Sequence, residues 1–154
     1  MSVIIEEDKI ERMLESLLGC DVAITESSHV RPHSSTARGL VTNENRLVAV
    51  IACDLPFAHR SGAALSMIPA SDDLGEATEP DDDLLLFYNE VANVMSRLLN
   101  EAMPSRVRMD PDINHELKDL QAIVSKGQIS ATVQVDIEGY GQGQLGMWHL
   151  PDLT

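Results

Sequence analysis

The sequence predicts an α+β domain in which an antiparallel sheet packs against long amphipathic helices. Three observations support this fold class: a helical pattern over residues 83–100, an almost continuous apolar run at 46–53, and strict alternation at 128–138. The strand patterns are joined by short turns, as in hairpins, rather than by helices, as in repeated β-α-β units. A chain of 154 residues is long enough for one substantial core, so residues 1–154 are expected to form a single domain.

The composition excludes several classes of function. The 25 acidic residues outnumber the 11 basic ones, and the formal net charge of −14 at pH 7 would repel a phosphate backbone or an anionic membrane. Nucleic acid and membranes are therefore not expected partners. Cys20 and Cys53 lie in different segments without further ligands at zinc-site spacing, so no disulfide scaffold or metal site is predicted. Without a signal-like start or a long apolar run, we expect a cytoplasmic protein.

The N-terminal part is predicted to be a helix, a short strand and a loop. Apolar residues at helical spacing predict a helix over 6–18, which Gly19 can end, and a short strand over 22–24. Residues 27–39 contain one proline and five serine or threonine residues, which favour a loop or an irregular edge strand.

Two histidines of this loop, His29 and His33, are four residues apart. On a helix that spacing would bring two imidazoles together, but Pro32 and the surrounding serines disfavour a helix. No further ligands follow at zinc-site spacing, so we interpret both as loop histidines rather than metal ligands.

An apolar hairpin and a capped helix follow. Residues 39–42 and 46–53 are predicted strands around a turn at 43–45, and the second strand is apolar enough to be covered on both faces. Asp54 can cap a helix that Pro69 ends, and its small residues, Gly62 to Ala64, would let it lie close against the sheet. The acidic segment 70–82 is predicted to be a solvated linker, because it lacks the spacing of a calcium-binding loop.

The C-terminal part is predicted to end in a hairpin. A short strand at 106–109 and a turn around Pro111 precede a half-buried strand at 128–138. In that strand, Ile129, Ala131, Val133, Val135 and Ile137 share one face. Glycines at 139, 141 and 143 form the loop before a returning strand that ends near Leu150; their spacing is not that of a phosphate-binding loop.

The helix predicted over 83–100 is strongly amphipathic. At about 100° per residue, its apolar side gathers Leu84, Phe87, Tyr88, Val91, Val94, Met95, Leu98 and Leu99, which should pack on the core. The opposite side carries Leu86, Asn89, Glu90, Asn93, Ser96, Arg97 and Asn100. Glu90 and Asn93 lie one turn apart there, with Leu86 and Arg97 beside them. A carboxylate, an amide and an exposed leucine therefore share one surface.

No signature of a serine hydrolase, a zinc peptidase, a P-loop or a dinucleotide site is present. The predicted order of elements, with Glu90-Val91-Ala92-Asn93 in the setting YNEVANVMSRLLNE, instead resembles the CheC/CheX/FliY family of chemotaxis phosphatases, and most closely a CheX-like domain with a single site. The resemblance spans nearly the whole chain at the level of pattern.

The resemblance implies a phosphatase that acts on the aspartyl phosphate of a response-regulator receiver domain. Asn93 would orient a water for in-line attack, and Glu90 would dock against a lysine of the partner. Leu86, Asn89 and Arg97 would complete the binding surface. No cofactor of its own is implied, because the phosphorylated partner would supply Mg²⁺.

This chain departs from the family motif at two points. Leu86 stands where family members commonly have Asp or Ser, four residues before the glutamate. Pro111 lies closer than the proline of the motif, and Glu116 occupies the expected position. Two alternatives therefore stay open: a solvated helix face without function, or a catalytically inactive CheX-like module that binds a protein or forms a homodimer through this face or an edge strand.

Overall fold

The computed structural model describes residues 3–28, 30–110 and 120–150. Their helices and strands, in chain order, are α1 (Glu7–Leu18), β1 (Val22–Glu26), β2 (Arg38–Val41), β3 (Leu47–Cys53), α2 (Leu55–Ser66), α3 (Asp73–Glu76), α4 (Asp82–Ala102), β4 (Arg108–Met109), α5 (Leu120–Lys126), β5 (Gln128–Ile137) and β6 (Gly141–His149). A 3-10 turn at Ser34–Thr36 precedes β2.

The described strands form one six-stranded sheet in the order β1-β5-β6-β3-β2-β4. Each neighbouring pair is antiparallel, which confirms the predicted fold class. The longest ladder is the predicted C-terminal hairpin, in which β5 and β6 pair from Ile137 and Gly141 to Gln128 and His149. Its turn uses Gly139 and Gly141 at φ of 82° and 117°, a region that favours glycine.

Strand β3 is covered on both faces, as its apolar sequence predicted. On one face, Ala49, Ile51 and Cys53 belong to the main core, into which α1, α2 and α4 also pack. On the other face, Val50 and Ala52 pack with Trp148, the loop before β2 and α5.

Helix α2 links the sheet to α4 through two close backbone approaches. Asp54 accepts a hydrogen bond from the Phe57 N–H at 2.9 Å and caps the helix as predicted. At Gly143 of β6, a Cβ atom would lie 2.5 Å from the Phe57 Cα, and at Gly62 of α2 it would lie 2.5 Å from the carbonyl oxygen of Leu84. Gly62 therefore serves the packing of α2 on α4 rather than on the sheet, where we had expected it.

The acidic segment 70–82 is more ordered than the linker we predicted. It contains α3, and Leu74 of that helix is buried against Ala63 and Leu84. The buried His59 of α2 binds the segment at two points: its Nδ1 lies 3.2 Å from the Leu74 carbonyl oxygen, and its Nε2 lies 3.0 Å from the Asp81 amide nitrogen. Leu74 and His59 thus help to attach this acidic segment to the domain.

One helix was not predicted, and two further expectations were wrong in detail. The missing helix is α5. Ile129 was predicted to face the core but is 56% exposed, because the β5–β6 register shifts between Ile129 and Ala131 and turns Ser130 inward. Phe87 was assigned to the buried side of α4 but is 39% exposed, whereas Leu85 is buried. Among the described residues, no helix is long and apolar enough to cross a membrane.

Candidate functional site

Helix α4 is fixed at its N-terminus by a cap and a histidine. The Asp81 side chain accepts a hydrogen bond from the Leu84 N–H at 3.1 Å, and Asp82 and Asp83 in the first turn interact favourably with the helix dipole. The Asp81 N–H donates to His59, which requires a neutral imidazole with its proton on Nδ1. The start of α4 is therefore held by α2 rather than by packing alone.

Tyr88, on the inner side of α4, is wholly buried and hydrogen-bonded. Tyr88 donates to the carbonyl oxygen of Thr36 at 2.9 Å and packs edge-on against Phe57, with ring centroids 6.5 Å apart. Burial raises the pKa of Tyr88 well above its usual value and that of the neighbouring Cys53 thiol to about 12. Both groups stay protonated at neutral pH, so neither provides a nucleophile or a base.

The outer face of α4, defined here as Leu86, Glu90, Asn93 and Arg97, points to solvent. All four residues are exposed, and Leu86 is 66% exposed beside the partly exposed Phe87. The side chains of Glu90, Asn93 and Arg97 make no hydrogen bond or ion pair with any residue of the described ranges. The predicted carboxylate and amide therefore lie one turn apart, and both are available to a partner.

Asn89, also predicted to bind a partner, lies on the flank of α4 and is half-buried. Its Oδ1 accepts a hydrogen bond from Arg38 Nε at 2.6 Å. Arg38 Nη1 donates to the carbonyl oxygens of Ser35 and Ala37, and the guanidinium lies 5.3 Å from the centroid of the Tyr88 ring. Arg38 was not among the sequence candidates; the only signal was a basic residue at the start of an apolar strand.

The same flank continues towards the C-terminus of α4. Ser96, predicted to be exposed, is 8% exposed and donates to the carbonyl oxygen of Asn93. Asn100 Oδ1 accepts a hydrogen bond from the Val107 N–H at 2.9 Å, which attaches the end of α4 to the segment before β4. The polar residues that border the outer face thus already form hydrogen bonds within the fold.

The predicted loop histidine His33 has a structural contact. Its Nδ1 accepts a hydrogen bond from the Ser35 N–H at 3.2 Å and caps the 3-10 turn. In the described part of the chain, no group of three or more His, Cys, Asp or Glu residues is placed to hold a metal ion. His29, Pro111 and Glu116 lie outside the described residues.

The chemistry open to the outer face is limited. An amide such as that of Asn93 can donate to and accept from a water molecule, and the carboxylate of Glu90 can bind a cation such as a lysine. In the described ranges, neither residue has a neighbour that would make it a nucleophile. The arrangement suits positioning of a water or a partner rather than covalent catalysis.

No protein-family model and no curated protein sequence matches this chain. Solved structures do match it. A chain of the FliG-FliM complex from H. pylori has a TM-score of 0.60 and 15% identity, covering 93% of this chain and 85% of that one. A chain of the CheX-CheY-BeF3-Mg²⁺ complex from Borrelia burgdorferi has a TM-score of 0.57 and 12% identity, covering 94% of this chain and 94% of that one. Thermotoga maritima FliY has a TM-score of 0.50 and 15% identity, covering 94% of this chain and 83% of that one. The chain therefore has the fold of the CheC/CheX/FliY type, as its order of elements predicted.

Proposed function

We propose that this protein binds a response-regulator receiver domain through the outer face of α4 and hydrolyses its aspartyl phosphate. The observation that supports this most is the pair formed by Glu90 and Asn93, whose exposed side chains lie one turn apart with no partner among the described residues. One of the structures with this fold is CheX in a complex with CheY, BeF3 and Mg²⁺. A cytoplasmic location is part of the same proposal.

In this proposal Asn93 holds the attacking water and Glu90 docks against a lysine of the receiver domain. An acyl phosphate is already reactive, so placing the water in line with the breaking bond provides much of the catalysis without a strong base. The receiver domain supplies Mg²⁺, which neutralises charge on the phosphoryl oxygens. This division of labour fits a face that carries an amide and a carboxylate.

Leu86, Asn89 and Arg97 provide the binding surface around this pair. Leu86 and Phe87 together expose apolar area at the N-terminal half of α4, where a partner could exclude water from the phosphoryl group. Arg97 lies one turn beyond Asn93 on the same stripe and places a positive charge near acidic side chains of a partner.

The test is the lifetime of phosphorylated receiver domains from the source organism in the presence of Mg²⁺. The wild type should shorten it, and Asn93→Ala should lower the catalytic rate about a hundredfold while leaving binding nearly unchanged. Asn43→Ala, in the exposed turn between β2 and β3, is the matched control and should retain full activity. If the wild type leaves the lifetime of every receiver unchanged, the phosphatase proposal is wrong.

A second candidate function is a protein-binding or dimerisation module without catalysis. The exposed Leu86 favours it, because this residue replaces the polar residue of the family motif and suits docking rather than chemistry. Another structure with this fold is that of a FliG-FliM complex. Under this reading Leu86→Asp abolishes partner binding or self-association in sedimentation experiments, and Asn93→Ala changes neither.

A further inference from the structure

Arg38 is a buried cation at the side of the outer face. Only 9% of the residue is exposed. Its Nε and Nη1 donate to the side chain of Asn89 and to the carbonyl oxygens of Ser35 and Ala37, so every acceptor that it has among the described residues is neutral. Buried arginines are usually paired with a carboxylate. Among the described residues, the positive charge is balanced by dipoles and by the face of the Tyr88 ring, without a carboxylate.

The hydrogen bond from Arg38 also fixes the orientation of the Asn89 amide. Arginine can only donate, so the side-chain oxygen of Asn89 must face it and the amide nitrogen must point away. That nitrogen has no partner among the described residues. Asn89 directly precedes Glu90 and lies one turn before Asn93, so the Cβ atoms of Asn89 and Asn93 are about 5–6 Å apart.

Arg38 and Asn89 are held in position before any partner binds. The carbonyl groups that bind Arg38 belong to the turn around Thr36, whose hydroxyl donates to the Cys53 carbonyl oxygen at 2.8 Å and whose own carbonyl accepts from Tyr88. The turn is therefore attached both to β3 and to α4. A charge held in this way can act on a ligand without first losing side-chain freedom.

We propose that Arg38 is a positioning residue of the α4 site, and that Arg38 and Asn89 together favour anionic oxygens of the partner next to Glu90 and Asn93. Arg38 supplies a positive charge that no carboxylate of the described residues pairs, within about one Debye length of Asn93, and Asn89 supplies an outward N–H donor. The oxygens can belong to the phosphoryl group or to the carboxylates around it. This inference rests on the proposed function and names the chemistry that the same site recognises.

The discriminating variant is Asn89→Asp. It keeps the shape of the side chain and the hydrogen bond to Arg38. The new carboxylate, however, balances the positive charge of the guanidinium, and it places an acceptor where the outward N–H donor was. Asn100→Asp is the matched control: Asn100 is on the same helix, precedes Glu101 as Asn89 precedes Glu90, and also accepts a hydrogen bond through Oδ1. Both variants add one negative charge.

The affinity of each variant is measured for a receiver domain of the source organism, with and without BeF3 and Mg²⁺, at low salt and at about 0.3 M NaCl. Asn89→Asp should bind about tenfold more weakly than Asn100→Asp at low salt, with a smaller difference at high salt. A loss confined to the BeF3-loaded receiver assigns the oxygens to the phosphoryl group, and an equal loss in both states assigns them to carboxylates. Equal affinities of the two variants would overturn the inference.

Two measurements need no partner and separate this inference from the phosphatase proposal. Asn89→Asp should raise the midpoint of thermal unfolding by about 2–4 °C, because it pairs Arg38, whereas Asn100→Asp should not. Inorganic phosphate should shift the NMR signal of the Asn89 side-chain amide in the wild type. If no receiver is dephosphorylated, the proposed function fails and this titration decides: a shift supports the anion-facing pair, and no shift overturns it.

Discussion

The two sides of α4 differ in how completely their side chains are engaged. On the inner side and flank, Tyr88, Arg38 and Asn89 form a continuous set of hydrogen bonds and ring contacts that includes the turn before β2 and Phe57 of α2. On the outer face, Glu90 and Asn93 have no described partner. The inner side therefore maintains the position of the helix, and the outer face is free to change without loss of the fold. Substitutions on the inner side should therefore lower the stability of the fold, whereas substitutions on the outer face should change function and leave stability nearly unchanged.

Tyr88→Ala tests the inner side and should have the largest effect. It removes a wholly buried ring and its hydroxyl group, and we expect a loss of about 3–5 kcal/mol in the free energy of unfolding, measured with urea. Phe87→Ala is the control, because it removes an aromatic ring from the neighbouring, 39% exposed position. A comparable loss in both variants would show that the two sides of α4 are not distinct.

Gly62→Ala tests the support that α2 provides. In an exposed helix this change would stabilise by about 1 kcal/mol. Here the new methyl group would meet the Leu84 carbonyl oxygen at 2.5 Å, so the two helices must move apart, and we expect a loss of about 1–3 kcal/mol. Thermal unfolding decides the sign, and a raised midpoint would mean that α2 and α4 pack less closely than described.

Asp54 tests whether the cap of α2 depends on charge. Asp54→Ala should cost about 1–2 kcal/mol, because it leaves the N–H groups of Phe57 and Gln144 without their acceptor. Asp54→Asn keeps an acceptor and should cost less. Both losses refer to urea unfolding near neutral pH.

The pH dependence of these variants follows from the pKa of Asp54. Burial raises this pKa above its usual value of 3.8, so the folded state binds the proton more tightly than the unfolded state. The contribution of Asp54 to stability is therefore fully present below 3.8 and is lost as the pH rises through the folded-state pKa. The wild type should gain stability relative to Asp54→Asn as the pH falls through this range, so the stability gap between them should widen, and a gap that narrows instead would contradict the sign of the shift.

The outer face should give the smallest effect on stability. Leu86→Ala combined with Asn93→Ala removes two exposed groups, and we expect a change below about 0.5 kcal/mol in urea unfolding. The same double variant should lose phosphatase activity under the proposed function. A loss of stability similar to that of Gly62→Ala would place these residues in the packing of the domain instead.

Local patterns were sufficient for most of the fold. The 3.6-residue period located α1 and α4 to within one or two residues, Asp54 and Gly19 marked helix ends, and alternation identified β5. The errors occurred where tertiary contacts, rather than local sequence, determine the exposure or the order of a residue. Ile129 is exposed because of a register shift that depends on β6, and the acidic segment before α4 is ordered by His59 of another helix.

The candidate site was predictable only in part. Glu90 and Asn93 follow from helical geometry on one element, so their shared exposure could be read from the sequence. Arg38 and Asn89 are 51 residues apart, and no local pattern indicates that a strand would place its first side chain on the flank of α4. The variants of Asn89 and Asn100 described above test their role in recognition.

The order of strands in the sheet affects how the chain folds. The last hairpin, β5–β6, lies between β1 and β3, although both of those strands are made much earlier. During synthesis, β1 and β3 are made several seconds before the hairpin that pairs with both of them. In that time apolar strand edges, such as that of β3, stay unpaired. Pairings over such sequence separations also slow folding in free solution. We therefore expect the chain to aggregate more readily before β5 and β6 pair with β1 and β3 than after.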